Sequence, residues 1–223
     1  MAAQITTYAG LKAGVLAWLA RPGDTLLDGR FDDFLLNCER RMYYGYAVDQ
    51  PDHPLKSDPL RVPEMEIADA AFSLSGATVA QPTAFLELIS AFNSSDGWPM
   101  QIVAQRTMDA YGTKTVGGTK LIAVSGTNFR VFDAPTTAKT ATLRYYQKLT
   151  TPAGSTVNAI LSNYPDVYLY GCLVEAAIFT QGEAEAQRYL SLYNASVAGL
   201  NARTQRITAS ANPVIRVRGG LHP

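Results

Sequence analysis

Apolar residues recur at helical spacing near both ends of the chain and alternate with polar ones in between. In "TTYAGLKAGVLAWLAR", Tyr8, Leu11, Val15 and Trp18 stand three and four residues apart. This spacing predicts a helix with one apolar stripe, capped by Thr6 or Thr7 and stopped by "RPGD". In "TLLDGRFDDFLLNCERRMYY", Leu27, Phe31, Phe34, Leu35, Cys38 and Met42 share a face, while Arg30, Asp33, Asn37, Arg40 and Arg41 project elsewhere. A short Pro-Gly turn between these segments predicts an antiparallel helical hairpin.

From about residue 47 the pattern breaks, because "VDQPDHPLKSDPLRVPE" carries four prolines in seventeen residues. Proline lacks the N–H that a helix interior needs, so this is an irregular crossing. Residues 64–149 are rich in Thr, Val, Ile, Phe and Gly, with turn signals at "SLSGAT", "NSSDGWP", "TVGGTK", "VSGTNF" and "DAPTTAKT". Alternation in "KLIAVS", "NFRVFD" and "ATLRYYQKL" predicts five or six short antiparallel strands. "PTAFLELISAFN" suits a strand or a helical turn equally.

After the loop "TTPAGSTVN" helical spacing returns. "NYPDVYLYGCLVEAAIF" opens with Pro165 where a missing N–H costs nothing and Asp166 in the first turn, and Val167, Tyr170, Val174, Ala177 and Ile178 form its stripe. Gly182 provides a stop or kink before a further helix carrying Tyr189, Leu192, Tyr193, Val197 and Leu200. "ITASANPVIRVRGGLHP" has a proline, two glycines and an alternating core, so it is expected to be an extended tail. The expected fold is α+β: an antiparallel bundle of about four helices with an inserted antiparallel β region and an extended C-terminal tail. Its segments are 1–46, a helical hairpin; 47–152, the crossing and β insertion; 153–206, the returning helices; and 207–223, the tail.

Composition removes several function classes. The chain has 223 residues, enough for one substantial core without disulfides or metals. Its 19 basic and 19 acidic residues balance and charged residues are 17% of the whole, so it carries no basic footprint for nucleic acid. Cys38 and Cys172 lie far apart without His neighbours; they read as small core residues and fit a reducing compartment. No basic stretch precedes an apolar run, and no segment approaches the ~20 apolar residues of a membrane span, so a soluble protein without an export signal is expected.

Candidate chemistry is sparse. His53 sits in the proline-rich crossing and His222 beside the end of the chain, poor anchors for a Ser/His/Asp or Cys/His constellation. "TVGGTKL" lacks phosphate-loop spacing before Lys120 and reads as a hairpin turn. Asp32 and Asp33 are adjacent on a helix and face away from each other, and "EAE" at 183–185 opens a helix, where the dipole favours negative charge. No catalytic, cofactor-binding or metal-ligating residue is assigned. Arg30, Arg40 and Arg41 lie near Tyr43 and Tyr44, but interleaved acids favour a solvated face or inter-subunit pairing. "RVRGG" would attract nucleic acid only weakly. By elimination the chain is an interaction protein.

Two regions resemble the adaptor (head-to-tail connector) family of tailed bacteriophages. "YAGLKAGVLAWLAR" followed by "FDDFLLNCERRM" is similar to that family's opening helical hairpin, with its Tyr-x-x-Leu start and Trp-Leu pair. "NYPDVYLYGCLVEAAIFTQGEAEAQRYLSLYNASVAGLN" is similar to its most distinctive stretch, a Tyr-Pro-Asp-x-Tyr-x-Tyr-Gly helix ending in Glu-Ala-Ala before a helix with a central Tyr. The resemblance implies a non-enzymatic ring, usually of twelve subunits, at the portal–tail junction of the virion, made in the host bacterial cytoplasm. Its implied partners are further copies of itself, the portal protein, tail nozzle or tail fibre proteins, and genome DNA sliding through without sequence-specific binding. Two other readings stay open: another virion part such as a tail-completion or fibre-attachment protein, and a glycan-binding or enzymatic module on the β region.

The interface candidates follow from exposure. Tyr168 and Tyr170 differ by about 200° around a helix and cannot share a face, so one is expected in the core and the other at a partner. The alternative is that both line a junction inside one subunit. In the tail, Val214, Ile215, Val217 and Leu221 belong to a segment too short for its own core, with Arg216 and Arg218 on the face opposite Val217. Such a segment suits addition to another chain's surface, against the alternative of a frayed terminus.

Overall fold

The structure, a computed structural model, describes residues 5–111 and 120–210. The chain forms two compact units: one from the segments before and including Glu64 and from Thr150 onward, the other from Met65–Leu149. Seven helices occur among the described residues: α1 (Tyr8–Trp18), α2 (Thr25–Gly29), α3 (Phe31–Tyr44), α4 (Gln105–Tyr111), α5 (Ala159–Asn163), α6 (Pro165–Phe179) and α7 (Glu183–Ser210). All but α4 belong to the first unit.

Side-chain caps set the helix starts. Thr7 Oγ1 accepts from the Gly10 N–H at 3.0 Å, Asp24 Oδ1 from Leu26 and Leu27, and Asn158 Oδ1 from Leu161 at 2.9 Å. Helix α6 is the hub and packs on α1, α3, α5 and α7. Val167, Tyr168, Leu169, Cys172, Leu173, Val174, Ala176 and Ala177 are all buried, which is why this helix is nearly uncharged around its circumference. Gly171 makes the close approach possible. A Cβ there would lie 2.4 Å from Cys38 Sγ and 3.3 Å from the Tyr193 ring.

Helix α6 ends at Phe179, three residues before the expected stop at Gly182. Gln181 adopts φ 60°, the Gly182 N–H donates to the Ala177 carbonyl at 2.9 Å, and the Gln181 N–H donates to Ile178 at 3.1 Å. This is a Schellman ending with Gln181, not Gly182, in the left-handed position.

The second unit is built on a curled seven-stranded sheet. Its strands are β1 (Glu66–Leu74), β2 (Thr78–Ala80), β3 (Phe85–Asn93), β4 (Trp98–Ile102), β5 (Leu121–Ser125), β6 (Asn128–Phe132) and β7 (Lys139–Gln147), in the order β1-β7-β3-β4-β5-β6-β2. Strands β3–β4 and β5–β6 pair antiparallel, with Gly97 and Gly126 at positive φ in their turns. The β4–β5 pair is parallel, with Gln101 opposite Leu121, because α4 lies in the connection and a parallel pair needs a crossover. Phe129 is fully buried at the centre of the core, with the rings of Phe72 and Phe85 at 5.8 and 5.1 Å.

The class α+β stands, but the expected bundle of about four helices with an inserted antiparallel β region does not. A curled seven-stranded sheet with seven helices replaces it. The second expected helix breaks at Arg30 into α2 and α3. Asn158 caps a separate α5 ahead of Pro165, and α4 interrupts the strands. "PTAFLELISAFN" supplies strand β3. Residues 207–210, read as the start of the tail, continue α7, since the first breaker is Pro213. The rest of the tail, with Val214, Ile215, Arg216, Val217, Arg218 and Leu221, lies outside the described residues, as do residues 115–119 of "TVGGTKL".

Candidate functional site

The face of α6 carries most of the polar chemistry of the first unit. Tyr168 is fully buried; its hydroxyl donates to Glu39 Oε1 at 2.9 Å and accepts from Asn158 Nδ2 at 2.7 Å. Thr151 Oγ1 donates to the other Glu39 oxygen at 2.6 Å, and Asn158 Nδ2 donates to the Thr150 carbonyl. One tyrosine thus joins α3, the α5 cap and the loop before it. Burial raises the Glu39 carboxyl pKa above the usual range, against the opposing effect of its two hydroxyl donors. Burial also pushes the Tyr168 phenol up.

A second buried connection crosses the same helices. Arg41 donates from Nε at 3.0 Å and Nη2 at 2.7 Å to Glu175 Oε1, and from Nη1 to the Leu55 carbonyl at 3.0 Å. Its guanidinium lies 4.8 Å from the Tyr46 ring centroid. Arg41 is 4% exposed, so it does not project into solvent as its place in the α3 pattern predicted. Glu175, the only carboxylate of α6 beyond its first turn, was the signal that a buried cation had to face it. Cys38 and Cys172 meet at this crossing, and burial raises the Cys172 thiol pKa well above its ordinary value.

Tyr164 at the start of α6 donates to Glu64 Oε1 at 2.7 Å and accepts from Arg203 Nη1 of α7 at 2.9 Å. Hydrogen bonding to Glu64 and burial both raise its pKa. Tyr170 points the other way. It is half-buried and stands edge-on to Trp18, with ring centroids 5.8 Å apart. Trp18 is 47% exposed, although its place in the α1 stripe predicted burial. At the far end of α6, Phe179 is also exposed, with its ring 5.5 Å from Phe34. Aromatic surface therefore remains on the helix with the most complete internal packing.

The motif residues divide between these roles. Pro165 opens the helix, Tyr168 and Glu175 tie it to α3, Gly171 permits contact, and Tyr170 faces outward. A family model described as SU10 adaptor protein matches residues 6–217. The chain belongs to that family. It is a phage adaptor protein, a component of the virion that contacts other virion proteins such as portal and tail. No curated protein sequence matches the adaptor. Among its described residues, no group of His, Cys, Asp and Glu is placed to hold a metal, and no helix is long and apolar enough to cross a membrane.

The two candidate tyrosines occupy different environments, Tyr168 in the core and Tyr170 beside Trp18. Sequence reasoning missed Glu39, Arg41, Asn158, Glu175 and Gly171. For Asn158 the signal was present, since an Asn directly before "AILS" is a helix N-cap. Glu39 gave none, because an acid on α3 next to two arginines looks solvated.

Proposed function

We propose that the adaptor is the subunit of a ring, of twelve copies, that joins portal to tail, continues the DNA channel and offers a platform for tail components. The observation that carries this is the aromatic pair Trp18–Tyr170, left at the surface of α1 and α6 although the helices beneath are closely packed. Tyr and Trp supply large contact area at low entropic cost and concentrate at interfaces. Equal numbers of acidic and basic residues suit a channel part past which DNA slides without being held. Tyr168 serves folding and Tyr170 serves assembly. The tail, through Val214, Ile215, Arg216, Val217, Arg218 and Leu221, is a docking arm toward a neighbouring subunit or the portal.

The test is Tyr170→Ala. The variant is expected to keep its far-UV and near-UV circular dichroism and to fail in co-sedimentation with portal. Normal attachment of a folded variant would remove the support for this interface.

A further inference from the structure

Helix α7 carries amide side chains at Gln187, Asn194 and Asn201, seven residues apart and therefore on one stripe about 10 Å from rung to rung. Two rungs hold the chain's own crossing segment. Asn194 Nδ2 donates to the Lys56 carbonyl at 2.9 Å. Asn201 Nδ2 donates to the Pro59 carbonyl at 2.9 Å, and Asn201 Oδ1 accepts from the Arg61 N–H at 2.8 Å. The stretch held in this way runs from Lys56 to Arg61.

The third rung is open. Gln187 is exposed and lines a cleft of about 550 Å³ between α7 and residues 53–58. Ser57 and Asn194 line the same cleft, and Ser57 Oγ and Asn194 Oδ1 are buried without a hydrogen-bond partner. Asp58 at its rim is exposed and makes no ion pair among the described residues. The cleft therefore offers an exposed amide and a carboxylate beside a segment that is already bound by such amides.

The tail shares features with the bound stretch, an Asn or Asp before proline, then apolar residues, then arginine: Asn212-Pro213-Val214-Ile215-Arg216 beside Asp58-Pro59-Leu60-Arg61. We infer that this cleft is the receptor for residues 212–218 of the tail of a second copy. A backbone carbonyl of the incoming segment accepts from the exposed Gln187 Nε2, and Arg216 or Arg218 pairs with the exposed Asp58. Reach decides between the copy's own tail and a neighbour's. Helix α7 ends at Ser210, about 24 Å along its axis from Asn194 and about 35 Å from Gln187. Val214 lies at most about 14 Å and Val217 about 25 Å from Ser210 even when fully extended. The copy's own segment falls short of the open rung, so the occupant has to come from another copy. This inference rests on the docking-arm role and the ring proposed above, and names where the arm lands.

Two measurements on the full-length chain test it. A labelled synthetic peptide of residues 211–223 is titrated into the chain at concentrations where the chain is monomeric. Saturable binding is expected, weakened at least fivefold by Gln187→Ala, an exposed change that leaves folding intact. No saturation, or equal binding of a scrambled peptide, overturns the assignment. In the portal-bound assembly, Q187C with V217C is expected to give an intermolecular disulfide ladder on oxidation. Only intramolecular cross-links, or none, in an assembly that has formed would overturn the neighbour's tail as occupant while leaving the ring standing. No assembly with portal by the wild-type chain would count against the ring and, with it, this inference.

Discussion

Replacing Gly171 by Ala sets two effects of opposite sign against each other. Alanine in a helix interior is favoured over glycine by about 0.8–1.0 kcal/mol. The added methyl, however, would sit 2.4 Å from Cys38 Sγ and 3.3 Å from the Tyr193 ring, both fully buried. Cys38 cannot give way cheaply, because its sulfur is enclosed at the α3–α6 crossing. Overpacking of this kind costs about 1–3 kcal/mol and exceeds the propensity gain when helices must move apart. A net loss of about 1 kcal/mol is expected, which at a urea slope of about 2 kcal/mol/M lowers the midpoint by about 0.5 M. The assay is urea unfolding followed by far-UV circular dichroism, with Cys38→Ala and the double variant completing a cycle. Removing the sulfur makes room for the methyl, so the double variant should be more stable than additivity predicts. A Gly171→Ala protein as stable as the parent, or strict additivity with Cys38→Ala, would refute the contact as the reason for this glycine.

Other outcomes follow from the same geometry. Tyr168→Phe leaves Glu39 with one hydroxyl donor instead of two and should cost about 1–3 kcal/mol by urea unfolding, whereas Tyr170→Ala, losing chiefly an edge contact to Trp18, should cost about 1 kcal/mol. Glu39 has a folded-state pKa above its unfolded one, so the native state binds its proton more tightly. Its contribution is fully present below the unfolded pKa and is lost as pH rises through the folded pKa; melting temperatures measured across that window should fall with pH, and Glu39→Gln should flatten the slope. Gln181→Gly relieves a left-handed residue at the α6 ending and should raise the urea midpoint by the equivalent of about 1 kcal/mol. Deleting residues 211–223 should leave thermal unfolding unchanged and abolish attachment to portal.

Periodicity marked those helix ends that local caps and breakers set, at Thr7, the Pro-Gly turn after Trp18 and Pro165, but not the break at Arg30 or the separate α5. It did not reveal that α6 is enclosed by four other helices, since a stripe reports one buried face and α6 has nearly none exposed. The β region was visible as alternation, but its strand order was not. The contact of β4 with β5 depends on a crossover through α4, and nothing in the two strands themselves distinguishes parallel from antiparallel partners. Of the candidate residues, Tyr168 and Tyr170 drew attention because about 200° separates them around a helix, so that they cannot share a face. Which of the two is the buried, hydrogen-bonded one depends on Glu39, 129 residues away from Tyr168 in sequence. Arg41 misled for the same reason, because its partner Glu175 lies 134 residues away and a helical wheel of α3 shows only an arginine off the apolar face.

The mass of the adaptor's complex with portal bears most directly on the proposed ring. Native mass spectrometry of portal before and after addition of the chain should show an increment of twelve 24.1 kDa subunits, with no populated intermediate once the chain is in excess. A portal mass that does not change, or a chain that stays a monomer beside it and binds glycan instead, would contradict the account.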